Sequence, residues 1–295
     1  MSCRQKSEML YEFSLSVFLR LWRSSLVLGG LLAASVAAEA GSRILATGGG
    51  SQIEGAGGGG LVPWAAMSSY ASSDEYGGTA FITEARFDDY RLSVYGASFS
   101  AFNRFEVSVA QQRFDLTSQG AELSQNIYGL KARVFGDLIY EAWPQVALGI
   151  QHKQNKTFAI PGLFGASEDN GTDFYLSAAK IWLNGPLNRN WLGNFTLRAT
   201  KANETGLVGF GGPGAKYEFM AEASLAVLLN RYLAAGAEYR QKPDHLAVGE
   251  QDWKDIFIAV FPTKSVAIVG AYVDLGKVAG VTDQQGFYAS IQASF

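Results

Sequence analysis

The feature that most constrains the fold of this chain is a hydrophobic alternation with a period of two, which recurs in segments of ten residues or more. In 215–229 every second residue is apolar, and Glu218 and Glu222 lie between the apolar positions. The last ten residues, 286–295, alternate in the same way. Alternation over such lengths is typical of β-strands with one apolar and one polar face. The sequence therefore predicts an all-β fold.

The length of these segments indicates a membrane-spanning barrel. Strands of soluble domains average five to six residues, whereas a strand that crosses a bilayer at a tilt needs about nine to eleven. No stretch after residue 40 offers eighteen continuous apolar residues, so no transmembrane helix is expected. Charged residues are only 17% of the chain and hydrophobic residues are 48%. We predict a transmembrane antiparallel up-and-down β-barrel of about twelve strands with a glycine-rich N-terminal leader.

A backward trace from the C-terminus places eleven strands, beginning at residue 91, and leaves the first strand open. That strand is either 78–86, which we favour, or 62–70, in which case 78–101 is one long bent strand. Bacterial barrels have short periplasmic turns and long outer loops. The expected long connections are 115–124, 154–171, 203–214, 243–251 and 276–285, and the short ones are 102–103, 141–144, 184–190, residue 230 with its neighbours and 262–264.

The N-terminus predicts export. Basic residues precede a short apolar run at 26–38, which ends in the small-residue site Ala38-Glu39-Ala40. This order is typical of a cleavable signal peptide. The expected organisation is a signal peptide at 1–40, a glycine-rich leader at 41–77 in the periplasm or the lumen, and an outer-membrane barrel at 78–295. The only cysteine, Cys3, lies in the signal, so no disulfide framework is expected.

Charged residues on the polar strand faces are the candidate functional residues. Strand parity predicts that they face the lumen, where they either pair across strands, as Arg133 and Arg198 would with Glu218 and Glu222, or select ions and solutes. The full set is Glu106, Lys131, Arg133, Asp137, Lys180, Arg198, Glu218, Glu222, Glu238, Arg240 and Asp274.

Motifs of catalysis and cofactor binding are weak. The glycines of 48–60 lack the strand and helix that a phosphate-binding loop requires. His152 and His245 are isolated, so neither a zinc site nor a Ser–His dyad has supporting spacing, and the acidic loop 243–255 is interpreted as solvated. A net charge of -3 argues against nucleic acid as a partner. We expect no enzymatic activity, no metal and no cofactor.

Several strings resemble an uncharacterised family of Gram-negative outer-membrane β-barrels, domain of unknown function 3034. The strings are GGG at 48–50, IEG at 53–55, GLVPWA at 60–65, DYRL at 89–92, RFEVS at 104–108, QRFD at 112–115, LNR at 229–231, GAEYRQKP at 236–243 and DWKDIF at 252–257. The resemblance implies a barrel in the outer membrane and supplies no activity or catalytic residue. The C-terminal Phe295, with Ile291 and Ala293 before it, is similar to the signal read by the barrel assembly machinery, although a larger residue than Ala293 is usual.

These observations favour a narrow, porin-like channel for passive passage of small solutes, with outer-membrane lipid and the assembly machinery as partners. The alternatives are a lipid-modifying enzyme embedded in the barrel, tested at His152, and a structural or adhesive barrel that acts through its outer loops. A secreted soluble β-sandwich is a further alternative, and the charged faces of its strands argue against it.

Overall fold

A computed structural model describes residues 41, 43–117 and 120–295. The predicted signal peptide lies outside the described residues. The strands are β1 (Gly50–Ser51), β2 (Gly57–Gly58), β3 (Tyr76–Phe87), β4 (Tyr90–Ala101), β5 (Phe105–Leu116), β6 (Ala121–Phe135), β7 (Gln145–Asn155), β8 (Asn170–Trp182), β9 (Asn190–Thr200), β10 (Glu218–Asn230), β11 (Leu233–Arg240), β12 (Trp253–Thr263), β13 (Val266–Val278) and β14 (Val281–Ser294). A short helix, α1 (Ala159–Leu163), and two 3₁₀ segments, Pro186–Asn188 and Asn203–Gly206, lie in connections. No helix of the described residues is long and apolar enough to cross a membrane.

Strands β3 to β14 form a closed antiparallel barrel in sequence order, which confirms the predicted fold. The closure joins β14 to β3, with the register running from Gly286 opposite Phe87 to Ser294 opposite Thr79. Beyond it, Phe295 and Gly78 exchange two backbone hydrogen bonds of 2.8 and 2.9 Å. The first barrel strand is thus the one that contains 78–86, and 62–70 contributes no strand to the barrel. We call the end that holds Tyr76 and Ser294 the terminal end and the opposite one the loop end.

The connections depart from the predicted alternation of long and short. At the loop end β13 and β14 are joined by residues 279–280 alone, and β5 and β6 by 117–120, where long loops were expected. At the terminal end the connection after β6 occupies 136–144 and is longer than predicted. Ala279 and Gly280 both have positive φ, which is the conformation of a tight hairpin turn.

The exterior of the barrel carries an apolar belt. Alternate residues of every strand point outward, and many of the large apolar ones are a third to a half exposed or more. Examples spread around the circumference are Phe99, Val109, Leu130, Ile150, Leu176, Phe195, Leu225, Ile258 and Ile268. A soluble protein rarely exposes so continuous an apolar surface, so this belt fits contact with lipid.

The lumen is filled by the chain segment that precedes β3. Residues 43–75, which we call the leader, turn through the small β1–β2 hairpin, and most of 46–71 is buried. The leader contacts the wall at well-separated strands: Ser51 donates to Gln292 of β14 at 2.7 Å, and the Trp64 indole donates to Ser224 of β10 at 2.9 Å. The core of this protein therefore lies between the leader and the inner face of the barrel.

The inner wall has two unlike sectors. Apolar side chains of β3–β5 and β12–β14 pack against Ile53 and Leu61 of the leader near the loop end. The members of this sector include Ala85, Leu92, Phe114, Trp253, Val273, Leu275 and Tyr288. The wall formed by β7–β11 instead carries buried charges and amides. These charges define the candidate site.

Candidate functional site: a charged cluster inside the barrel

Five charged side chains point inward from consecutive strands β7 to β11. Each lies close to the loop end of its strand, so strand alternation and register bring them to one level of the lumen. They are Lys153, Asp173, Arg198, Glu222 and Arg240, and none is more than a few per cent exposed. Because buried charges are tolerated only when paired, their mutual geometry decides whether this group is stable.

A sixth charge comes from the leader. Residues 52–57 turn back on themselves, with Gly55 at a φ of +98° and its amide donating to the Gln52 carbonyl at 2.8 Å. This turn directs the Glu54 carboxylate at the wall. Gly55 itself lies against β5, where an added Cβ would be 3.2 Å from the Ala110 Cβ. A glycine is therefore favoured at the tip both by its φ and by the space.

Glu54 is the centre of the cluster. Its Oε1 accepts from Arg240 Nη2 at 3.0 Å and from the Lys153 ammonium, and its Oε2 lies 3.4 Å from Arg198 Nη2. The Gln52 amide adds a bond of 2.7 Å to Oε2. Burial by itself would raise the pKa of Glu54, but the positive charges of Arg240, Lys153 and Arg198 hold this pKa well below its ordinary value. Glu54 is consequently an anion at neutral pH.

The wall charges also pair with one another. Arg198 bonds Glu222 at 2.5 Å through Nε and Asp173 at 3.2 Å through Nη1. Lys153 lies 2.6 Å from Asp173, and Arg240 lies 3.5 Å from Glu222. With Glu54 in place, three cations face three carboxylates and the cluster is neutral.

Two further wall carboxylates hold the leader backbone. Glu106 of β5 accepts from the amides of Gly57 and Ser68 at 2.9 and 2.7 Å, and it pairs with Lys131 at 3.1 Å. Lys131 in turn donates to leader carbonyls, including that of Ala66 at 2.7 Å. Glu238 of β11 accepts from the Leu61 amide at 2.7 Å. The leader is therefore docked through polar contacts at several levels of the lumen.

A loop between β9 and β10 closes the lumen at the loop end of the barrel. Residues 201–212, which we call the inserted loop, fold inward at the loop end, and most of them are buried. The Thr205 carbonyl accepts from Lys153 at 3.1 Å, and Glu204 pairs with Lys242 at 2.6 Å, while Lys242 also bonds Glu250 at 3.0 Å. Burial raises the pKa of Glu204 well above its ordinary value, with Lys242 opposing the rise and the Glu250 carboxyl adding to it.

The lumen therefore holds little free space between the leader and the wall. Two cavities line this boundary, with volumes of about 20 and 30 Å³. A cavity of roughly 10–15 Å³ on this measure accepts one water, so each holds one or two at most. In the described residues no group of three or more His, Cys, Asp and Glu side chains is placed to hold a metal ion.

The structure places most of the charges predicted for the lumen inside the barrel, at different levels. Arg198, Glu222 and Arg240 join the cluster around Glu54, while Glu106, Lys131 and Glu238 hold the leader elsewhere. The predicted Arg198–Glu222 pair is present. Arg133 does not pair with a glutamate of the wall: it bonds Asp137 at 3.2 Å at the turn that follows β6. Glu218 lies half exposed at the loop end, 3.3 Å from His245.

Two of the predicted lumen charges, Lys180 and Asp274, do not face the lumen. Lys180 belongs to the outward set of β8 and reaches the Ile139 carbonyl at 3.3 Å, on the terminal-end turn. Asp274 belongs to the outward set of β13 and lies 3.5 Å from Lys254, which is 62% exposed. Lys180 shares its parity with Phe174 and Leu176, which form the apolar outward face of β8, so its charge alone was a misleading sign of the lumen face. On β13 both faces are apolar, so alternation did not identify which face meets the lumen.

Sequence reasoning missed Glu54, Lys153 and Asp173. Lys153 lies on the same face of β7 as Gln145 and Gln151, and all three side chains are buried. Alternation did not identify Lys153 because it falls at the predicted end of that strand. Asp173 lies on the inward face of β8, next to the predicted loop. For Glu54 the only available signal was that it is the single charged residue of 44–73.

The two histidines lie apart from the cluster. His152 is on the outward face of β7, where its Nδ1 hydrogen-bonds the Thr172 hydroxyl at 3.0 Å. His245 lies in the connection after β11 and contacts Glu218. Neither contact is with a serine, so the described geometry gives no Ser–His dyad.

Fold and site together define a closed twelve-stranded β-barrel with an apolar exterior and a lumen of one charged and one apolar sector, which its own N-terminal leader occupies. The chain belongs to the family described as Protein of unknown function (DUF3034), which matches residues 47–292. No curated protein matches the chain.

Several solved barrels have a similar course of the chain. The KdgM porin is 9% identical with a TM-score of 0.48, and the match covers 74% of this chain and 99% of the porin. The outer membrane protein Omp33 of Acinetobacter baumannii is 12% identical with a TM-score of 0.45, over 76% of this chain and 100% of Omp33. Outer membrane phospholipase A of Escherichia coli is 7% identical with a TM-score of 0.38, over 74% and 92%.

Proposed function

We propose that this protein is an outer-membrane channel for small solutes that the leader closes in the state described here. Its apolar belt would lie in the bilayer, with the terminal end facing the periplasm and the loop end facing outward. The observation that carries the proposal is how the leader is held. Its amides and carbonyls meet wall side chains such as Glu106, Lys131 and Glu238 through hydrogen bonds.

Polar docking of this kind supports a removable leader. Water can replace hydrogen bonds and ion pairs once the leader moves, because the lumen would then be wet. Movement of the leader also exposes the apolar sector where Ile53 and Leu61 pack, and this cost favours the docked state at rest. The barrel ladder is closed by β14 and β3 without any leader strand, so the wall keeps its own backbone hydrogen bonds. A leader that shifts would leave a polar, charged passage along β7–β11.

The test locks the leader to the wall. Cysteines replace Gly50 of the leader and Val269 of β13, because a Cβ added at Gly50 would lie 3.6 Å from the valine Cγ2, within reach of a disulfide. The only natural cysteine, Cys3, belongs to the predicted signal. In planar bilayers the reduced protein should show discrete conductance steps, and oxidation should silence them. The matched control places cysteines at Thr83 and Ser290, which link β3 to β14 without touching the leader.

Conductance of the control should be unchanged by oxidation. The channel proposal is lost if the reduced leader-linked variant never conducts, or if it conducts equally well when oxidised. Heat-dependent migration on a denaturing gel shows that each variant is a folded barrel.

A further inference from the structure

The cluster around Glu54 has the composition of a binding site that the chain fills with its own residue. We propose that Lys153, Arg198 and Arg240 form a binding site for small carboxylate anions, and that Glu54 occupies this site while the leader is docked. The proposal rests on the channel function proposed above and names the class of solute for that lumen.

The charges of the wall do not balance without Glu54. Without Glu54 the wall keeps three cations, Lys153, Arg198 and Arg240, against two carboxylates, Asp173 and Glu222. One positive charge is then uncompensated in a narrow lumen. A net positive charge in a narrow passage with low-dielectric walls attracts a counter-ion, so the site favours an anion in place of Glu54.

Geometry favours a carboxylate over a simple halide. The wall approaches both oxygens of Glu54: Arg240 and Lys153 reach Oε1, and Arg198 lies 3.4 Å from Oε2. Guanidinium groups present planar, directed donors that match the two oxygens of a carboxylate. A spherical ion can satisfy only part of this arrangement.

An unused donor lies beside the site. The Oε1 of Gln151 accepts from Arg198 Nη1 at 2.7 Å, and this side chain is fully buried. Its Nε2 is buried without a hydrogen-bond partner within the described residues. Buried donors are seldom left unpaired, so this amide is available to an oxygen of a bound molecule.

A free carboxylate should compete with Glu54 for the binding site. A free carboxylate and Glu54 require the same cations, so a bound solute displaces Glu54 and weakens the docking of the leader. If the solute binds only the leader-free lumen, the released fraction of the leader rises by a factor of one plus the solute concentration divided by its dissociation constant. At ten times the dissociation constant the released fraction of the leader should rise about tenfold.

The experiment follows the leader in the full mature chain. Ser68→Cys introduces a single thiol at a leader position that is 1% exposed and whose hydroxyl has no described hydrogen-bond partner. A water-soluble maleimide labels this thiol only when the leader leaves the lumen. Labelling rates are compared in sodium acetate, in sodium chloride of equal ionic strength and in acetamide, the neutral analogue of acetate. Ser51→Cys serves as a second reporter if Ser68→Cys does not fold.

Acetate should accelerate labelling in proportion to one plus its concentration divided by its dissociation constant, by about tenfold at ten times that constant, whereas chloride and acetamide should have little effect. Arg240→Gln should remove most of the dependence on acetate, because it removes one of the three cations that face the anion. Lys201→Gln is the matched control, since Lys201 carries the same charge near the loop end and pairs with Glu168 outside the cluster.

Equal rates in acetate and chloride, or an acetate effect that persists in Arg240→Gln, would overturn the proposal, and so would a thiol that is never labelled. The labelling rate of the thiol is measured without any ion current, so it is independent of the conductance test. A protein that is silent in bilayers but releases its leader with acetate would lose the channel function and keep the binding site. A protein that conducts, but whose labelling rate does not depend on acetate, would keep the channel function and lose the binding site.

Discussion

Glu54 shows how much of this site depends on a single residue. The sequence places it in a leader without hydrophobic periodicity, and only the fold brings it to cations from β7, β9 and β11. Removal of one partner from a buried ion network costs about 3–5 kcal/mol, because the opposite charges stay buried without compensation. The docking of the leader should therefore be sensitive to the charge of this one carboxylate.

Acid should release the leader only at unusually low pH. The pKa of Glu54 is held well below the reference value of 4.5, so its contribution to docking is present above that value and is lost as pH falls through the lowered pKa. A dipyridyl disulfide, which reacts with thiols in acid, can measure exposure of Ser68→Cys. We expect little exposure at pH 4.5 and a marked increase below it. A midpoint at the ordinary pKa of glutamate would contradict this geometry.

Gly149 is predicted to be intolerant of a side chain. It faces the lumen opposite Tyr175 in the β7–β8 register, and a Cβ at this position would lie 2.0 Å from the tyrosine ring. The ring also lies 5.3 Å from the Arg198 guanidinium. Gly149→Ala should lower the free energy of unfolding by about 1–3 kcal/mol, the usual cost of overpacking. Gly270→Ala, where no atom lies within 4 Å of the added Cβ, is the control in the same urea titration.

Prediction from sequence succeeded for residues on strands with one polar face. Alternation in β10 is clean, so Glu222 was assigned to the lumen, and its partner Arg198 followed. The assignment failed for Asp274, because apolar packing on the inner sector makes β13 hydrophobic on both faces. It failed for Lys180 because this lysine lies on the apolar outward face of β8, near the strand end, where it reaches the Ile139 carbonyl. Glu54 could not be placed at all, since its position depends on tertiary docking of the leader.

Among the elements, the inserted loop has its own titratable contact. Glu204 and Glu250 both face Lys242, so full ionisation would leave two carboxylates with one ammonium. The raised pKa of Glu204 keeps this carboxyl protonated at pH values above its reference pKa of 4.5, and the resulting stability is lost as pH rises through the raised pKa.

We therefore expect the inserted loop to loosen as pH rises through the raised pKa of Glu204. Hydrogen exchange of residues 203–209, corrected for the intrinsic effect of pH, should increase as pH rises. Glu204→Gln cannot ionise, so its exchange should stay independent of pH over the same interval. Equal behaviour of the two proteins would assign the opening to another group.

The connections between strands were the least predictable elements. Ala279 and Gly280 close a two-residue turn where a long loop was expected, because β13 and β14 continue well past their apolar sections. Hydrophobic alternation marks only the part of a strand that meets lipid, and it fades where a strand extends into water. Strand number and order were predictable, whereas strand ends were not.

For the whole molecule, the apolar belt sets the energetic cost of a charge according to its depth. Leu130 is 51% exposed near the middle of β6, and Thr282 is exposed at the loop end of β14. An arginine on the lipid face costs about 2–4 kcal/mol at the centre of a bilayer and about 0–1 near its surface. Leu130→Arg should thus lower the stability of the liposome-embedded barrel by the larger amount, and Thr282→Arg by little, as measured by urea unfolding followed through tryptophan fluorescence. Equal losses in the two variants would mean that the belt does not face lipid, and the closed barrel would then need another explanation for its apolar exterior.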